Sequence, residues 1–337
     1  RFVSGFIYSE SSGLNHAIIG KKLAPVRAII SECVEAFQNA SLIDKIFFMD
    51  KSKSWASNYS SETALGGFQD VGEGGAFPQD SFQEGFDKTI QFRIWKDQFT
   101  LTKEILDDAS VGKIKSKAGM FAQAYGRGRE GYAAALLAGG IGKTVKYKDK
   151  VYDTTSADGV PLFSKEHPSK TKGNKFTQSN LFKAAFSQDS MDQLQEKMQD
   201  FADDDGNILS VMPDTIIIPN SAKLKRAVFA AVGSELDPNT NNNAMNFQMG
   251  LWNVLIWPYL PKLLNDQEYF MMADSDFLQT YMCLPFVDRV PLQVDSHIDN
   301  NTWNTVFQGY ARYGAGFNNW RGIAICGAGL DGTELTV

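Results

Sequence analysis

Helical periodicity is most extended in the part of the chain that follows residue 110. Apolar side chains recur there at spacings of three, four and seven residues: Ile114, Ala118, Phe121, Tyr125, Tyr132 and Leu136. This spacing puts them on one face and predicts an amphipathic helix of about 25 residues. The same segment contains four glycines: Gly119, Gly126, Gly128 and Gly131. Because each glycine destabilises a helix by roughly 1 kcal/mol relative to alanine, we expect another backbone to pack closely against this helix.

Three further helices are predicted from spacing and capping residues. Residues 24–37 carry apolar side chains at helical spacing: Val26, Ile29, Ile30, Cys33 and Phe37. A capping box at Ser190–Gln193 predicts the start of the next helix, and Gly206 predicts its end. Residues 220–232, followed by Gly233, predict a third, capped helix.

Strand patterns occur in two parts of the chain. Residues 215–218 are a continuous β-branched run between Pro213 and Pro219, which is too short for a helix and predicts a buried strand. Together with strand-like segments at 251–257 and 268–272, this run predicts an α/β lobe with a small central sheet. Earlier in the chain, residues 90–99 alternate apolar and polar side chains, as a half-exposed strand does.

The segment before that strand has a different composition. Residues 60–84 are rich in Gly, Ser, Gln and acidic side chains and have no periodicity. Joined to the strand at 90–99, they predict an extended two-stranded flap. Because a lone hairpin is marginally stable in water, we expect the flap to lie on a neighbouring subunit. Residues 141–178 predict loops with a small hairpin, and residues 235–246 predict a polar loop.

Composition is that of an ordinary globular protein. The chain has 337 residues, 43% hydrophobic and 21% charged, and at roughly 100–200 residues per domain its length predicts two or three domains. No apolar run approaches the roughly 20 residues that span a bilayer, and the start at Arg1 lacks a secretory-signal pattern, so we expect no membrane partner. Cys33, Cys283 and Cys326 lie far apart without metal-ligand spacing, which predicts buried free thiols.

Three segments partly match ligand-binding motifs. Residues 126–131 have the spacing of a dinucleotide fingerprint, but that motif follows a strand, whereas these residues lie within the predicted helix. Residues 139–144 resemble a phosphate loop, but its first glycine would fall on Leu137. Residues 203–206 resemble a calcium loop whose first ligand would be Phe201 and whose closing acid would be Met212, so they are interpreted as a helix stop. We therefore expect no cofactor and no metal.

Catalytic candidates are few. The histidines are His16, His167 and His297, and no local signature pairs any of them with a Ser, Cys or Asp. We expect no catalytic residue. Carboxylates brought together by folding keep a carboxylate-dependent hydrolase open as an alternative, because a sequence does not reveal such an arrangement.

Two groups of side chains suit either packing or ligand binding. The aromatic group fits core and interface packing better than a base-stacking platform; it comprises Trp303, Phe307, Tyr310, Tyr313, Phe317 and Trp320. The basic group fits a solvated helix face as well as it fits DNA phosphates or a neighbour's acids; it comprises Lys113, Lys115, Lys117, Arg127 and Arg129. A net charge of −6 argues against a protein that grips nucleic acid from outside, but not against a container for DNA.

Three glycine-punctuated tracts, at residues 158–168, 205–219 and 295–323, contain loop and strand segments with almost no nucleophilic or metal-ligating side chains. Through them the chain resembles, from about residue 60 to residue 325, the major capsid subunit of tailed bacteriophages, closest to the Mu-like major head subunit branch. The resemblance implies an α+β tailed-phage capsid fold with four regions. These are an N-terminal arm (1–57), an extended β-hairpin loop (58–103), a peripheral domain with a long spine helix (104–177 and 291–337), and an axial domain with a small central sheet (178–290).

The resemblance also implies a function. It predicts a structural protein, not an enzyme, that self-assembles into the icosahedral head shell enclosing double-stranded DNA. The implied partners are further copies in pentamers and hexamers, portal and decoration proteins, and loosely held DNA. The implied location is the virion, after assembly in the host cytoplasm. The sequence shows no identifiable Lys–Asn–Glu constellation of the kind found in the crosslinking members of the family, so we do not expect covalent crosslinks between subunits. An encapsulin-like compartment shell is a second alternative function.

Overall fold

The computed structural model describes residues 15–62, 84–108, 111–170, 177–234 and 246–335. Helices in these ranges are α1 (Asn15–Asn39), α2 (Ile43–Ile46), α3 (Lys103–Asp108), α4 (Val111–Gly139), α5 (Gln188–Gln199), α6 (Ala222–Gly233) and α7 (Ser275–Thr280). Strands are β1 (Phe48–Lys51), β2 (Ala56–Glu62), β3 (Glu84–Gln91), β4 (Arg93–Leu101), β5 (Thr144–Tyr147), β6 (Lys150–Asp153), β7 (His167–Pro168), β8 (Thr177–Gln178), β9 (Leu181–Lys183), β10 (Thr215–Pro219), β11 (Asn253–Trp257), β12 (Tyr269–Ala273), β13 (Pro285–Ile298), β14 (Thr305–Ala315), β15 (Ile323–Gly327) and β16 (Thr333–Glu334).

The helices agree with the predicted periodicities, with corrections at their ends. Helix α4 is 29 residues long, and α1 extends beyond the predicted 24–37 at both ends. The predicted start of α5 is wrong, because Ser187 is its N-cap and Ser190 is the third helical residue that completes the capping box. Its predicted end is also wrong, since the helix stops at Gln199 and Gly206 lies in a later turn with φ 93°. In the described ranges, no helix is long and apolar enough to cross a membrane.

The single strand predicted at residues 90–99 is in fact two strands. Strand β3 ends at Gln91 and β4 begins at Arg93, and the two belong to different sheets. Phe92 between them is buried in a cluster with Tyr59, Ile90 and Val287. Because the apolar–polar alternation continues through Phe92, the sequence pattern does not reveal this break.

A six-stranded sheet has the order β11-β10-β12-β15-β9-β16. The predicted strand at 215–218 is β10, which pairs parallel with β11 and antiparallel with β12. Every residue of β10, β12 and β15 is buried, as expected for continuous apolar strands covered on both faces. Strand β15 comes from the C-terminal part of the chain and lies between β12 and β9, so the sheet is larger than the predicted one.

The remaining strands form smaller sheets. One has four strands in the order β1-β13-β14-β4, with β1 parallel to β13. Strands β2 and β3 form an antiparallel two-stranded hairpin, and β5 and β6 form the small hairpin predicted within residues 141–178. The predicted aperiodic segment at 60–84 and polar loop at 235–246 fall almost entirely outside the described residues.

The chain divides into two compact units, each with its own core. The first comprises residues 1–41, 95–129 and 292–311, and the second comprises residues 42–94, 130–291 and 312–337. In the described part of the first unit, the buried cluster contains Val26, Ile30, Leu101, Ile114, Ala118, Phe121, Ala122 and Phe307. In the second unit, the ring of Tyr132 packs against those of Tyr152, Phe286 and Tyr313. Its thiols, Cys283 and Cys326, are free and buried.

Candidate functional site

The structure places the dinucleotide-like residues 126–131 inside α4. A Cβ at residue 126 would overlap the ring of Phe37 in α1, so this glycine permits the close helix approach that the sequence predicts, although the partner is a side chain and not a backbone. Glu130 is buried, and its Oε2 accepts a hydrogen bond from Nε1 of Trp257 at 2.7 Å. Gly126 and Glu130 therefore serve packing. Residues 126–131 lie within a helix and do not form the turn between a strand and a helix that a dinucleotide fingerprint requires.

The phosphate-loop-like residues 139–144 form the turn between α4 and β5. A Cβ at residue 139 would lie 2.5 Å from Cβ of Val145, which accounts for the glycine by close packing. Lys143 is exposed. A structural role for this turn fits the geometry better than triphosphate binding.

The acidic residues 203–205 form a turn after α5, not the stop of that helix. The Asp203 carboxylate accepts hydrogen bonds from the backbone N–H groups of Asp205 and Asn207, at 2.9 and 2.8 Å. Asp204 forms an ion pair with Arg321 at 2.9 Å, and both side chains are largely buried. Within the described ranges, no group of three or more His, Cys, Asp or Glu side chains is arranged to hold a metal ion.

The structure pairs His167 with an acid that local sequence signatures do not identify. Its Nδ1 lies 2.6 Å from Oδ2 of Asp158, and its Nε2 lies 3.0 Å from Oδ1 of Asn180. The imidazole stacks on the indole of Trp320, with ring centroids 4.1 Å apart. Both ring nitrogens are thus engaged in the interior, so this cluster holds strand β7 to the turn at Asp158 and does not present a base to a substrate. The Asp158-Gly159 pair indicates a turn in the sequence, and Gly159 has φ 81°, but the sequence does not indicate the partner of Asp158.

The C-terminal aromatic residues are mostly core residues, which confirms packing as their role. Phe307, Tyr313, Phe317 and Trp320 are buried. Trp303 differs, because it is 58% exposed and Nζ of Lys103 lies 4.6 Å from its ring centroid. An indole covered by a lysine on the surface is not a stacking platform for successive bases.

The turn at residues 246–252 presents apolar side chains to solvent from a firmly bonded backbone. Nδ2 of Asn246 donates to the carbonyl oxygens of Ala231 and Ser234 at 2.6 and 3.0 Å, which satisfies the C-terminal end of α6. Gln248 donates to Asp192 of α5 at 2.6 Å and accepts from Nε1 of Trp252 at 2.6 Å. The polar residues of the turn therefore point inward and hold it in place.

The alternate residues of this turn point outward. Phe247 is 62% exposed, Met249 45% and Leu251 59%, and Phe229 on the adjoining helix α6 is 51% exposed. We call these four residues the apolar turn patch. Large apolar side chains held outward by a bonded turn are typical of protein–protein contact surfaces, where aromatic and Met side chains are enriched.

The β2–β3 hairpin makes polar contacts along its length with other residues of the second unit. Nζ of Lys88 in β3 lies 2.7 Å from Oδ2 of Asp153 and 2.9 Å from Oγ1 of Thr155. The Tyr59 hydroxyl of β2 donates to Asp50 at 2.6 Å, and Lys170 donates to the carbonyl of Gly85. These contacts hold both strands of the hairpin to the rest of the second unit, while residues 63–83 lie outside the described ranges.

The predicted basic group does not act as one set. Arg129 is buried beside Tyr125, to whose hydroxyl it donates at 3.1 Å. Lys113, Lys115 and Arg127 are exposed, and Lys117 is partly exposed. Only the latter four are available to contact another molecule.

Comparisons with known proteins identify the family and the fold of this chain. A family model described as "Phage capsid protein" matches residues 86–326. No curated protein matches the chain. The fold is similar to the capsid of an empty GTA particle, at a TM-score of 0.53 and 12% identity over 85% of this chain and 88% of that one.

Two phage structures show the same fold. The mature capsid of bacteriophage PhiM1 is similar at a TM-score of 0.52 and 11% identity, over 88% of each chain. The capsid of cyanophage P-SCSP1u is similar at a TM-score of 0.50 and 7% identity, over 88% of this chain and 89% of that one. The tailed-phage capsid fold expected from the sequence is thereby confirmed, without a distinction for its Mu-like branch. Because the family model covers well over half of its length, the chain belongs to the phage capsid protein family.

Proposed function

We propose that copies of this chain close into an icosahedral head shell of pentamers and hexamers around double-stranded DNA. The family and the fold identify a structural major capsid protein, not an enzyme, that forms a homo-oligomeric shell and is part of the virion. We further propose assembly in the host cytoplasm, attachment of portal and decoration proteins, and no catalytic, cofactor-binding or metal-binding residue.

The four regions implied by the capsid resemblance belong to the same proposal. They are the arm at 1–57, the extended loop at 58–103, the peripheral domain at 104–177 and 291–337, and the axial domain at 178–290. The β2–β3 hairpin supports the extended loop, and the 29-residue helix α4 supports the spine helix. Strand β15, from residues 323–327, lies in the six-stranded sheet, so we propose that the peripheral segment also contributes a strand to the axial sheet.

The apolar turn patch is the single observation that assigns a contact between subunits to specific residues. Its side chains are exposed in one copy, whereas the turn that holds them is internally bonded to α5 and α6. A capsid subunit must bury part of its surface against copies of itself. We therefore propose that Phe247, Met249 and Leu251 are covered by the adjacent subunit in each ring.

Electron microscopy of the purified full chain tests the proposed function. Closed shells of uniform size support it, and an absorbance spectrum dominated by nucleic acid in shells from the native source supports DNA as the content. Shells with a second protein inside and no DNA would favour the encapsulin-like alternative. A persistent monomer in light scattering, under all assembly conditions, would contradict a capsid role and reopen the hydrolase alternative.

A further inference from the structure

The first two thirds of α4 have an unusual charge composition. Between Val111 and Arg129 it contains five basic residues and no acidic one, in a chain whose net charge is −6. Lys113 and Arg127 are exposed and Lys117 is partly exposed. At about 3.6 residues per turn, these three cations lie on one face of the helix, together with the exposed Ser116 and Gln123. We call Lys113, Lys117 and Arg127 the cationic stripe.

The opposite face of the same helix is occupied by the core of the first unit. Ile114, Ala118 and Phe121 are buried there, and α1 packs against Gly119 and Gly126. Contacts with the core do not determine which polar side chains cover the outer face of α4. Packing of the helix therefore does not account for the cationic stripe.

The stripe has no carboxylate partner among the side chains that the structure describes. No ion pair joins Lys113, Lys117 or Arg127 to any of these side chains. Glu32 and Glu35, the acids of the described part of α1, lie on that helix away from the face where Cys33 and Phe37 approach α4. Asp295 is paired with Arg27, and the carboxylate of Asp299 accepts hydrogen bonds within its own turn.

The dimensions of the stripe favour a polymer of negative charges. Lys113 and Arg127 are separated by about 21 Å along the helix axis, at 1.5 Å per residue. A single phosphate occupies one point, whereas a nucleic-acid backbone offers charges along this whole length. Lysine is depleted at protein–protein interfaces but supplies many phosphate contacts, so DNA fits this surface better than an acidic face of another subunit.

We infer that the cationic stripe of α4 contacts the phosphate backbone of the double-stranded DNA enclosed by the shell. This inference rests on the proposed function, since it takes the enclosed DNA as the ligand. The contact is independent of sequence, because the stripe offers long flexible cations to phosphates and presents no bonded group to base edges. It provides local attraction on a chain that otherwise repels DNA by its net negative charge.

Binding of a short labelled DNA duplex to the unassembled full chain tests this inference. We compare the parent, the triple variant Lys113→Gln, Lys117→Gln, Arg127→Gln, and a charge-matched control, Lys143→Gln, Lys150→Gln, Arg226→Gln, whose residues are exposed elsewhere. Fluorescence anisotropy across salt concentrations gives the affinity and its salt dependence. The stripe variant is expected to bind at least about tenfold more weakly, and its slope of log K against log salt is expected to be smaller by about three, roughly 0.9 per lost phosphate contact.

The control variant is expected to keep the parent's slope. Equal slopes for the parent and the stripe variant overturn the inference, as does an equal loss in the stripe and control variants, which indicates a general charge effect. If the triple variant is unfolded by circular dichroism, the single substitutions decide, each lowering the slope by about one or leaving it unchanged.

Electron microscopy of the same preparations separates this inference from the proposed function. Normal shells from a stripe variant that retains the parent's DNA affinity and slope overturn the stripe as a DNA contact and leave the capsid role intact. Failed shells from a variant with unchanged DNA binding assign the stripe to an acidic neighbouring subunit and also overturn the inference. If the parent forms no shells, the proposed function fails, while the salt slopes still decide whether the stripe binds DNA.

Discussion

Nδ1 of His167 lies 2.6 Å from Oδ2 of Asp158, and neither side chain is more than 2% exposed. The other ring nitrogen faces Oδ1 of Asn180, whose Nδ2 is committed to the backbone carbonyls of Leu162 and Ile323. Both ring nitrogens therefore lie within hydrogen-bonding distance of a buried side-chain oxygen. These buried hydrogen bonds join strand β7 to the turn at Asp158 and to Asn180, the residue before β9.

His167→Ala is expected to reduce the free energy of unfolding by about 1–3 kcal/mol, because Oδ2 of the buried Asp158 loses its hydrogen-bond partner. Urea denaturation of the unassembled chain measures this change. Lys165→Ala, which removes an exposed ion pair with Asp331, is the matched control and is expected to leave the denaturation midpoint almost unchanged. Similar midpoints for the His167 variant and the parent would show that the pair is dispensable.

Gly126→Val is expected to lower the free energy of unfolding by about 1–3 kcal/mol. The valine side chain would overlap the ring of Phe37 and force α1 away from α4. Gly128→Ala provides the opposite case. A Cβ at residue 128 has no atom within 4 Å, so alanine there is expected to raise the free energy of unfolding by up to about 1 kcal/mol through helix propensity. Thermal melting of both variants tests the prediction, and equal shifts of the same sign would refute it.

The double variant Phe247→Ser, Leu251→Ser is expected to prevent shell formation while leaving the subunit folded. Both side chains are exposed in one copy, so the free energy of unfolding should change by less than about 0.5 kcal/mol. Sedimentation measures assembly, and urea denaturation measures folding. Phe247→Leu, which keeps an apolar side chain, should assemble far better than the serine variant. Normal shells from the serine variant would remove the apolar turn patch from the subunit interface.

Lys88→Met is expected to destabilise the attachment of the β2–β3 hairpin in a pH-dependent way. Burial acts to raise the pKa of Asp153, but hydrogen bonds from Lys88 and Thr155 outweigh it and hold the pKa below its ordinary value of 3.8. A carboxyl with a lowered folded-state pKa stabilises the fold fully above its unfolded pKa and loses that contribution as pH falls through the folded value.

The difference in stability between Lys88→Met and the parent should therefore be largest near neutral pH and should narrow below about pH 4. Denaturation midpoints of both proteins at pH 7 and pH 3 measure this narrowing. A difference that is the same at both pH values would indicate that Lys88 acts through packing alone.

Local patterns predicted much of the fold. The apolar spacing from Ile114 to Leu136 identified α4, and the β-branched run at 215–218 identified β10, because each signal lies within one element. Errors occurred where two local signals compete. Ser187 and Ser190 are both capping residues, and only the bonded structure distinguishes the N-cap from the third helical position.

Long-range relationships were not accessible to the same reasoning. Strand β15 enters the six-stranded sheet between β12 and β9, which lie far from it in sequence. The bond of His167 to Asn180 depends on the pairing of β7 with β8, which places His167 opposite Gln178, and no spacing rule encodes this pairing. The apolar turn patch was missed for a similar reason, since the alternating exposure of Phe247, Met249 and Leu251 arises from hydrogen bonds to two separate helices.

The buried thiols have a chemical consequence. Burial raises the pKa of Cys283, and it raises the pKa of Cys326 to about 12, so neither side chain forms the thiolate that reacts with oxidants or disulfides. Both are free, and both lie in the interior of the second unit. We therefore expect these two cysteines to form no disulfide when the surroundings become oxidising. A particle built from this unit would pass from reducing to oxidising surroundings without gaining or losing a bond at these two positions.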